Sequence, residues 1–295
     1  MSTQSGAVGI VAGVDGSAPS RVAVDWAARD AALRRVPLTL VYVLPGATVQ
    51  SWIQVPLPAA FFEDAREAAG EALADARGVA EAAARGVDGF RVEERTMSGQ
   101  PVQVLADLSK EADMIVVGKR GLGKWESRLL GSVSSGVVQH AHCPVAVIHD
   151  EDPLIPHPEQ APVVVGIDGS PASELATAMA FDEASRRHVD LVAVHTWSDA
   201  GYELPGAGWN EIQPEEDMLL AERLAGWQER YPDVTVRRVV HRDQPSRGLL
   251  EEAERAQLLV VGSHGRGGFT GMLLGSVGSQ VVHSARVPVI VARRP

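Results

Sequence analysis

Residues 260–276 have the sequence VVGSHGRGGFTGMLLGS, and this stretch indicates the fold of the chain. A short apolar run ends at Gly262 and Gly265, nine residues follow, and Gly275 and Ser276 then precede a helix-like segment. Glycine lets backbone N–H groups approach an anion closely, and the N-terminus of a helix adds donors and a partial positive charge. The stretch therefore predicts a strand, a phosphate-binding loop and a helix.

The same pattern occurs earlier in the chain. Aligning 116–148 with 260–292 gives 17 identities in 33 positions, which is too many for two unrelated segments. The start of the chain repeats as well, because VAGVDGSAPS at 11–20 matches VVGIDGSPAS at 164–173. The chain is therefore a tandem duplication. The equivalent loop residues in the first copy are Gly118, Gly121, Gly131 and Ser132.

The length of 295 residues is enough for two domains of about 150 residues each. The segment EDPLIPHPEQAP between the copies contains four prolines, which is typical of an extended linker. We expect a first domain at 1–151, a proline-rich linker at 152–162 and a second domain at 163–295.

Short apolar runs alternate with helix-like segments in each copy. This pattern predicts an α/β fold with a parallel sheet covered on both faces. In the first copy we predict strands at 8–14, 38–43, 90–96, 114–117 and 145–148, and helices from 19 or 20 to before Pro37 and at 61–85, 101–110 and 133–141. In the second copy we predict strands at 163–167, 191–195, 235–240, 258–261 and 289–292, and helices at 172–187, 215–231, 246–256 and 277–285. We expect two tandem, Rossmann-like, five-stranded domains.

Composition and charge exclude several classes of partner. The net charge of -11 argues against binding to nucleic acid or to anionic lipid. No stretch reaches the roughly 18 apolar residues that a membrane span needs, and the N-terminus has no signal-peptide pattern. The single cysteine, Cys143, excludes internal disulfides and fits a reducing compartment. We expect a cytoplasmic protein.

Other candidate site residues follow the first two strands of each copy. In a doubly wound sheet, ligands bind at the carboxyl ends of the strands, where the strand order reverses. Asp15 and Asp168 lie at such ends, and each is a candidate to bind a ribose hydroxyl, a metal carried by phosphates, or a base. The alternative is that each aspartate only caps the following helix. Ser132 and Ser276 likewise contact a phosphate or serve as N-caps.

Two other nucleotide motifs are excluded. The segment GKRGLGKW at 118–125 approaches a P-loop, but Trp125 stands where Ser or Thr must reach magnesium. The second copy has Gly268 in place of Lys124. No G-x-G-x-x-G fingerprint follows either first strand.

The two loops differ in charge. Lys119, Arg120 and Lys124 make the first loop more basic than the second, which has Ser263 and His264 at matching positions and a single Arg266. The sequence therefore predicts that the two sites differ in affinity.

The pattern G-x-x-G, nine residues, G-S, with an aspartate after the first strand, resembles the universal stress protein family. The resemblance covers nearly the whole chain, twice, and matches tandem-domain members. It implies a fold of the adenine nucleotide alpha hydrolase-like type and binding of ATP, with Mg²⁺ carried by the phosphates. It also implies that the residue at the end of the second strand meets adenine largely through its backbone. The residues that it places at the nucleotide are Asp15, Val43, Gly118, Gly121, Gly131, Ser132 and Val133 in the first copy and Asp168, Thr196, Gly262, Gly265, Gly275, Ser276 and Val277 in the second.

The resemblance also implies partners and an activity. Family domains pair through their last strands, which suggests that Val145–Ile148 and Val289–Ala292 associate within the chain, and a further homodimer is expected. We expect an ATP-dependent regulator in the stress response that acts on an unidentified protein partner. The alternative is a slow ATPase or nucleotide-dependent transferase that uses the same sites. Catalysis needs a base or a water-orienting group near the γ-phosphate, and the repeated residues form no such arrangement. No catalytic residue is therefore predicted.

Overall fold

The structure, a computed structural model, describes residues 8–45, 59–121, 130–149, 157–197, 209–242, 244–265 and 274–293. It divides into two compact units, one within 1–150 and the other within 151–294. Of the described helices, none is long and apolar enough to cross a membrane.

The first unit alternates strands and helices. Its strands pair in parallel in the order β3-β2-β1-β4-β5, so the order reverses on either side of β1. The elements are β1 (Ile10–Val14), α1 (Ala18–Arg34), β2 (Leu38–Pro45), α2 (Ala59–Ala83), β3 (Val92–Gly99), α3 (Pro101–Leu108), β4 (Met114–Gly118), α4 (Ser132–His140) and β5 (Val145–Ile148).

The second unit has the same element order. Its strands pair in parallel in the order β8-β7-β6-β9-β10. The elements are β6 (Val163–Gly166), α5 (Pro171–Arg187), β7 (Leu191–Trp197), α6 (Trp209–Arg230), β8 (Val236–Arg242), α7 (Pro245–Ala253), β9 (Leu258–Gly262), α8 (Ser276–Ser284) and β10 (Val289–Ala292). The predicted α/β class and the parallel sheets are confirmed.

The burial of the strands explains why the sequence predicted them well. The central strands of each sheet are apolar and buried along most of their length, as parallel strands covered on both faces must be. The edge strands β3 and β8 instead carry exposed charged side chains, which discourage pairing with another chain.

The first helix of each unit begins at a serine cap. The hydroxyl oxygen of Ser17 accepts a hydrogen bond from the backbone N–H of Ser20 over 3.2 Å, and a proline lies in the first turn. Ser170 and Ser173 repeat this arrangement at the same distance. Both features favour helix initiation at these positions.

The largest boundary difference concerns α6, which begins at Trp209 rather than at the predicted 215. Pro214 therefore lies inside the helix and does not end the preceding loop. Proline lacks the backbone N–H that would bond to the carbonyl four residues earlier, so it ordinarily argues against a helix interior. The early start means that α6 extends by more than a turn beyond the sequence prediction.

Part of the predicted linker is ordered against the second unit. Residues Pro158–Gln160 form a short 3₁₀ helix. The side-chain amide of Gln257 donates to the backbone carbonyl of Ala161 over 2.6 Å and to that of Glu159 over 3.1 Å. Residues 152–156 of the predicted linker lie outside the described residues.

Candidate functional site

Each unit contains a cavity at the carboxyl end of its sheet, where the strand order reverses. The volumes are about 530 Å³ in the first unit and about 560 Å³ in the second. Cavities of this size are typical of small-molecule sites. All fourteen residues predicted from the sequence line them: Asp15, Val43, Gly118, Gly121, Gly131, Ser132 and Val133 in the first, and Asp168, Thr196, Gly262, Gly265, Gly275, Ser276 and Val277 in the second.

The two aspartates are held by the turn that precedes the first helix. Asp15 Oδ1 accepts a hydrogen bond from the backbone N–H of Ser17 over 2.9 Å, and Asp168 Oδ1 accepts one from Ser170 over the same distance. The residue that caps each helix is the serine. The alternative considered from the sequence, in which each aspartate only caps the following helix, is therefore wrong. The second carboxylate oxygen of Asp15 lies directly against Gly121.

The glycines that end β4 and β9 are required by packing. A Cβ on Gly118 would lie 2.8 Å from the backbone carbonyl oxygen of Pro19, in the first turn of α1. A Cβ on Gly262 would lie 2.8 Å from the backbone carbonyl carbon of Ala172, in the first turn of α5. Any side chain at either position would push the strand away from the helix. These two glycines therefore serve the fold as well as the cavity.

The helices after the loops present N-termini that no side chain caps. The N-caps are Gly131 for α4 and Gly275 for α8, and Ser132 and Ser276 are the first helical residues. The serines are therefore not the caps that the sequence alternative proposed. Because the first N–H groups of a helix have no partner within it, each terminus offers backbone donors beside the cavity. Donors of this kind suit a phosphate.

Within the described residues, a backbone hydrogen bond closes the base of each loop. The N–H of Gly131 donates to the carbonyl of Lys119 over 2.8 Å, and that of Gly275 donates to the carbonyl of Ser263 over 2.8 Å. The intervening segments, 122–129 and 266–273, lie outside the described residues. The prediction that they wrap around phosphates stays a prediction, and so does any role for Lys124, Trp125 or Arg266.

Comparison with known proteins identifies the family. The sequence profile described as the universal stress protein family matches residues 9–149 and 161–293. The chain belongs to the universal stress protein family. It is 54% identical over 294 residues to the universal stress protein Rv2623 of Mycobacterium tuberculosis, covering 99% of each chain. It is 51% identical over 287 residues to a universal stress protein of Mycolicibacterium smegmatis, covering 97% of each.

A solved structure has the same fold. A universal stress protein from Archaeoglobus fulgidus superposes with a TM-score of 0.70 at 23% identity, covering 97% of this chain and 96% of that one. The family predicted from the glycine pattern is confirmed.

The two universal stress protein domains differ at the end of their second strand. Val41, Tyr42 and Val43 line the first cavity, whereas Val194, His195 and Thr196 line the second. Trp197 and Glu216 also line the second cavity.

A hydrogen-bonded pair occupies this end of the second domain. His195 Nδ1 lies 2.6 Å from the carbonyl oxygen of Ile167, and His195 Nε2 lies 3.1 Å from Glu216 Oε2. Sequence reasoning missed both side chains, because their contact joins β7 to α6 and appears in no local motif. The one available signal was a histidine where the first copy has Tyr42.

The domains also differ beside the loops. Arg120 lines the first cavity, and His264 lines the second at the matching position. His264 Nδ1 lies 3.1 Å from the hydroxyl of Ser263. Of the loop residues on which the predicted charge difference rests, Arg120 and His264 thus line the cavities, whereas Lys124 and Arg266 lie outside the described residues. The difference in charge between the two whole loops stays a prediction.

Proposed function

We propose that this universal stress protein binds ATP in both cavities and acts as a nucleotide-dependent regulator in the stress response. The observation that carries the proposal is the coincidence of three features in each cavity. An uncapped helix N-terminus, a turn-held aspartate and the end of the second strand lie around one space, and they do so twice. In the first domain these features belong to α4, Asp15 and β2.

The sheet geometry supports a mononucleotide as the ligand. Strands β4 and β2 flank β1, so their carboxyl ends are two strand spacings apart, or about 10 Å. In our proposal the phosphates bind at the N-terminus of α4, the ribose lies near Asp15, and the base lies over the end of β2. The second domain would bind its nucleotide in the same orientation, with the phosphates at α8.

Magnesium fits this arrangement as a companion of the phosphates. Mg²⁺ in nucleotide sites keeps several waters and is bound by substrate phosphates with one or two carboxylates. Asp15 and Asp168 supply one carboxylate each beside the loops, and the described residues contain no group of three acidic, histidine or cysteine side chains that would form a separate metal centre. We propose that Mg²⁺ enters with ATP.

We also propose that the chain works as a regulator and not as a catalyst. Asp15 is the only carboxylate among the described residues that line the first cavity, and its Oδ1 already accepts a hydrogen bond from the turn. In the second cavity Glu216 accompanies Asp168, but it lies at the β7 end, away from the helix N-terminus where we propose that the phosphates bind. A group that activates water at the γ-phosphate would have to be found elsewhere. The remaining parts of the proposal are domain limits at 1–151 and 163–295, a cytoplasmic location and a homodimer that presents the nucleotide state to a protein partner.

Nucleotide content and stoichiometry test this function. We expect the purified, denatured chain to release adenine nucleotide, and we expect calorimetric titration of the emptied chain to give two equivalents of Mg-ATP. Asp15→Asn and Asp168→Asn should each remove one equivalent and leave the circular dichroism spectrum unchanged, because asparagine can still accept from Ser17 or Ser170. Absence of any bindable nucleotide would overturn the proposal. Sustained hydrolysis at about 1 per second or faster would overturn the regulator in favour of an enzyme.

A further inference from the structure

The second cavity contains a hydrogen-bonded histidine–glutamate pair, with the histidine buried and the glutamate partly exposed, that the proposed function leaves unused. The side chain of His195 is 6% exposed and that of Glu216 is 20% exposed. Both line the cavity at the carboxyl end of β7, beside Thr196. This is the end of the cavity opposite the helix N-terminus of α8.

The hydrogen bonds of His195 determine which oxygen of Glu216 can accept a hydrogen bond from a ligand. A backbone carbonyl only accepts, so Nδ1, which lies 2.6 Å from the Ile167 oxygen, carries a proton. Nε2 faces Glu216 Oε2 at 3.1 Å, so a second proton lies between these two atoms, on either the ring or the carboxyl group. In both cases the other oxygen, Oε1, remains an acceptor. Oε1 makes no hydrogen bond to another described residue, and because the side chain is 20% exposed it is accessible to water or to a ligand.

A hydrogen-bond acceptor at the β7 end of the cavity favours a ligand group that donates a hydrogen bond. Phosphate oxygens supply no hydrogen-bond donor and are repelled by an acceptor, so the phosphates stay at the α8 end. The ribose hydroxyl groups also donate, but in the proposed orientation the ribose lies near Asp168, so the base is the part of the nucleotide that remains for the β7 end. The exocyclic amino group of a purine supplies a donor for Oε1. Resting on the nucleotide binding proposed above, we propose that Glu216, positioned by His195, accepts a hydrogen bond from the 6-amino group of the base and sets base preference in the second cavity.

The first domain has no equivalent of the His195–Glu216 pair at the matching positions. Tyr42 stands at the position of His195 in the aligned strands. In the helices, buried Ala69 and Leu73 match buried Leu220 and Leu224, which places Ala65 at the position of Glu216. Base recognition by a carboxyl side chain is therefore a property of the second cavity.

The test compares two nucleotides that differ by one donor. Purine riboside 5′-triphosphate has hydrogen in place of the 6-amino group of ATP. In an Asp15→Asn background, which reports the second cavity, we expect ATP to bind about tenfold more tightly than this analogue, the size of one hydrogen bond. Glu216→Ala should reduce that preference to about twofold or less. Glu216→Gln should retain most of it, because the amide can donate to His195 Nε2 and still present its oxygen to the base.

The matched control is Glu222→Ala, an exposed glutamate on the same helix, which should leave the preference unchanged. An unchanged preference in Glu216→Ala would overturn the proposal. An equal loss of affinity for both nucleotides would also overturn it, because it would assign Glu216 a structural role. Failure of the unsubstituted chain to bind ATP at all would instead contradict the proposed function, and it would be recognised before Glu216 is changed.

Discussion

The two cavities of this chain share one backbone design but differ in the side chains that face the ligand space. Both have an aspartate on a serine-capped turn, a glycine at the end of the fourth strand and an uncapped helix start at Gly-Ser. The first then presents Arg120 and Tyr42, whereas the second presents His264 and the His195–Glu216 pair. Where the backbone geometry requires a particular residue type, the two copies have the same residue. The positions free of that demand differ, and they should give the two sites different ligand preferences.

The largest expected effect concerns the shared backbone. Gly118→Ala should destabilise the first domain by about 1–3 kcal/mol, because the new methyl group would lie 2.8 Å from a backbone oxygen in α1, which cannot rotate away. Gly262→Ala should do the same in the second domain. Urea unfolding of each variant measures the change.

Gly78→Ala is the matched control for these variants. Gly78 lies in α2 with nothing within 4 Å of an added Cβ, so alanine there should stabilise the protein by about 0.5–1 kcal/mol. If Gly118→Ala were neutral, the close approach of β4 to α1 would not constrain the domain.

The next largest effect concerns the residues beside the proposed phosphate positions, Arg120 in the first cavity and His264 in the second. Arg120→His should weaken ATP binding in the first cavity about tenfold, because a guanidinium makes charge-assisted hydrogen bonds to phosphate that a neutral imidazole does not. His264→Arg should tighten the second cavity by a similar factor. Calorimetric titration in Asp168→Asn and Asp15→Asn backgrounds, respectively, isolates each site. Two equal affinities in the unsubstituted chain would contradict the inferred difference.

A smaller effect distinguishes the two kinds of serine. Ser17→Ala should destabilise the first domain by about 1 kcal/mol, because it removes the hydroxyl that accepts from the N–H of Ser20. Ser132→Ala should leave stability unchanged, since the N-cap of α4 is Gly131, and it should weaken ATP binding only a few-fold. Thermal unfolding and titration of the same two variants measure both quantities. Equal destabilisation by the two changes would assign Ser132 a capping role.

The smallest expected effect concerns the stability that ion pairs on the edge strands β8 and β3 contribute. Arg238 on β8 makes two hydrogen bonds of 3.0 Å to Asp217 on α6, and these hydrogen bonds lower the pKa of Asp217. At the matching position of β3, Glu94 pairs with Arg77 of α2, so the charges are reversed. A carboxyl group with a lowered pKa in the folded state adds stability above its unfolded pKa, and this stability is lost as pH falls through the folded value.

Arg238→Ala should therefore cost at most about 0.5 kcal/mol at neutral pH, because the pair is exposed and screened by solvent. The cost should disappear once Asp217 is protonated in acid. Urea unfolding of the variant and the parent at neutral and acid pH checks this, and a cost that persists in acid would assign Arg238 a packing role.

The sequence predicted the strands and the duplication from its own patterns, and the family resemblance supplied the full set of fourteen residues that line the cavities. Contact of these residues with a nucleotide stays a prediction. Apolar runs, glycine spacing and the Asp-Gly-Ser turn each lie within a few consecutive positions. The start of α6 was missed, since Pro214 is ordinarily a helix breaker. The pairing of His195 with Glu216 was missed as well, since it depends on how β7 and α6 pack together. The cap at Gly131 follows from backbone dihedral angles that the Gly-Ser pattern does not fix.

The contact of Gly118 with the first turn of α1 changes how the glycine pattern should be interpreted in relatives. A domain that had lost its ligand would still need glycine there, since the strand end and the helix turn leave no room for a side chain. Mutational scanning for folding alone should therefore select glycine at 118 and 262. The presence of these glycines in a distant sequence is a marker of architecture, and the aspartate facing the loop is the better indicator that a ligand is still bound.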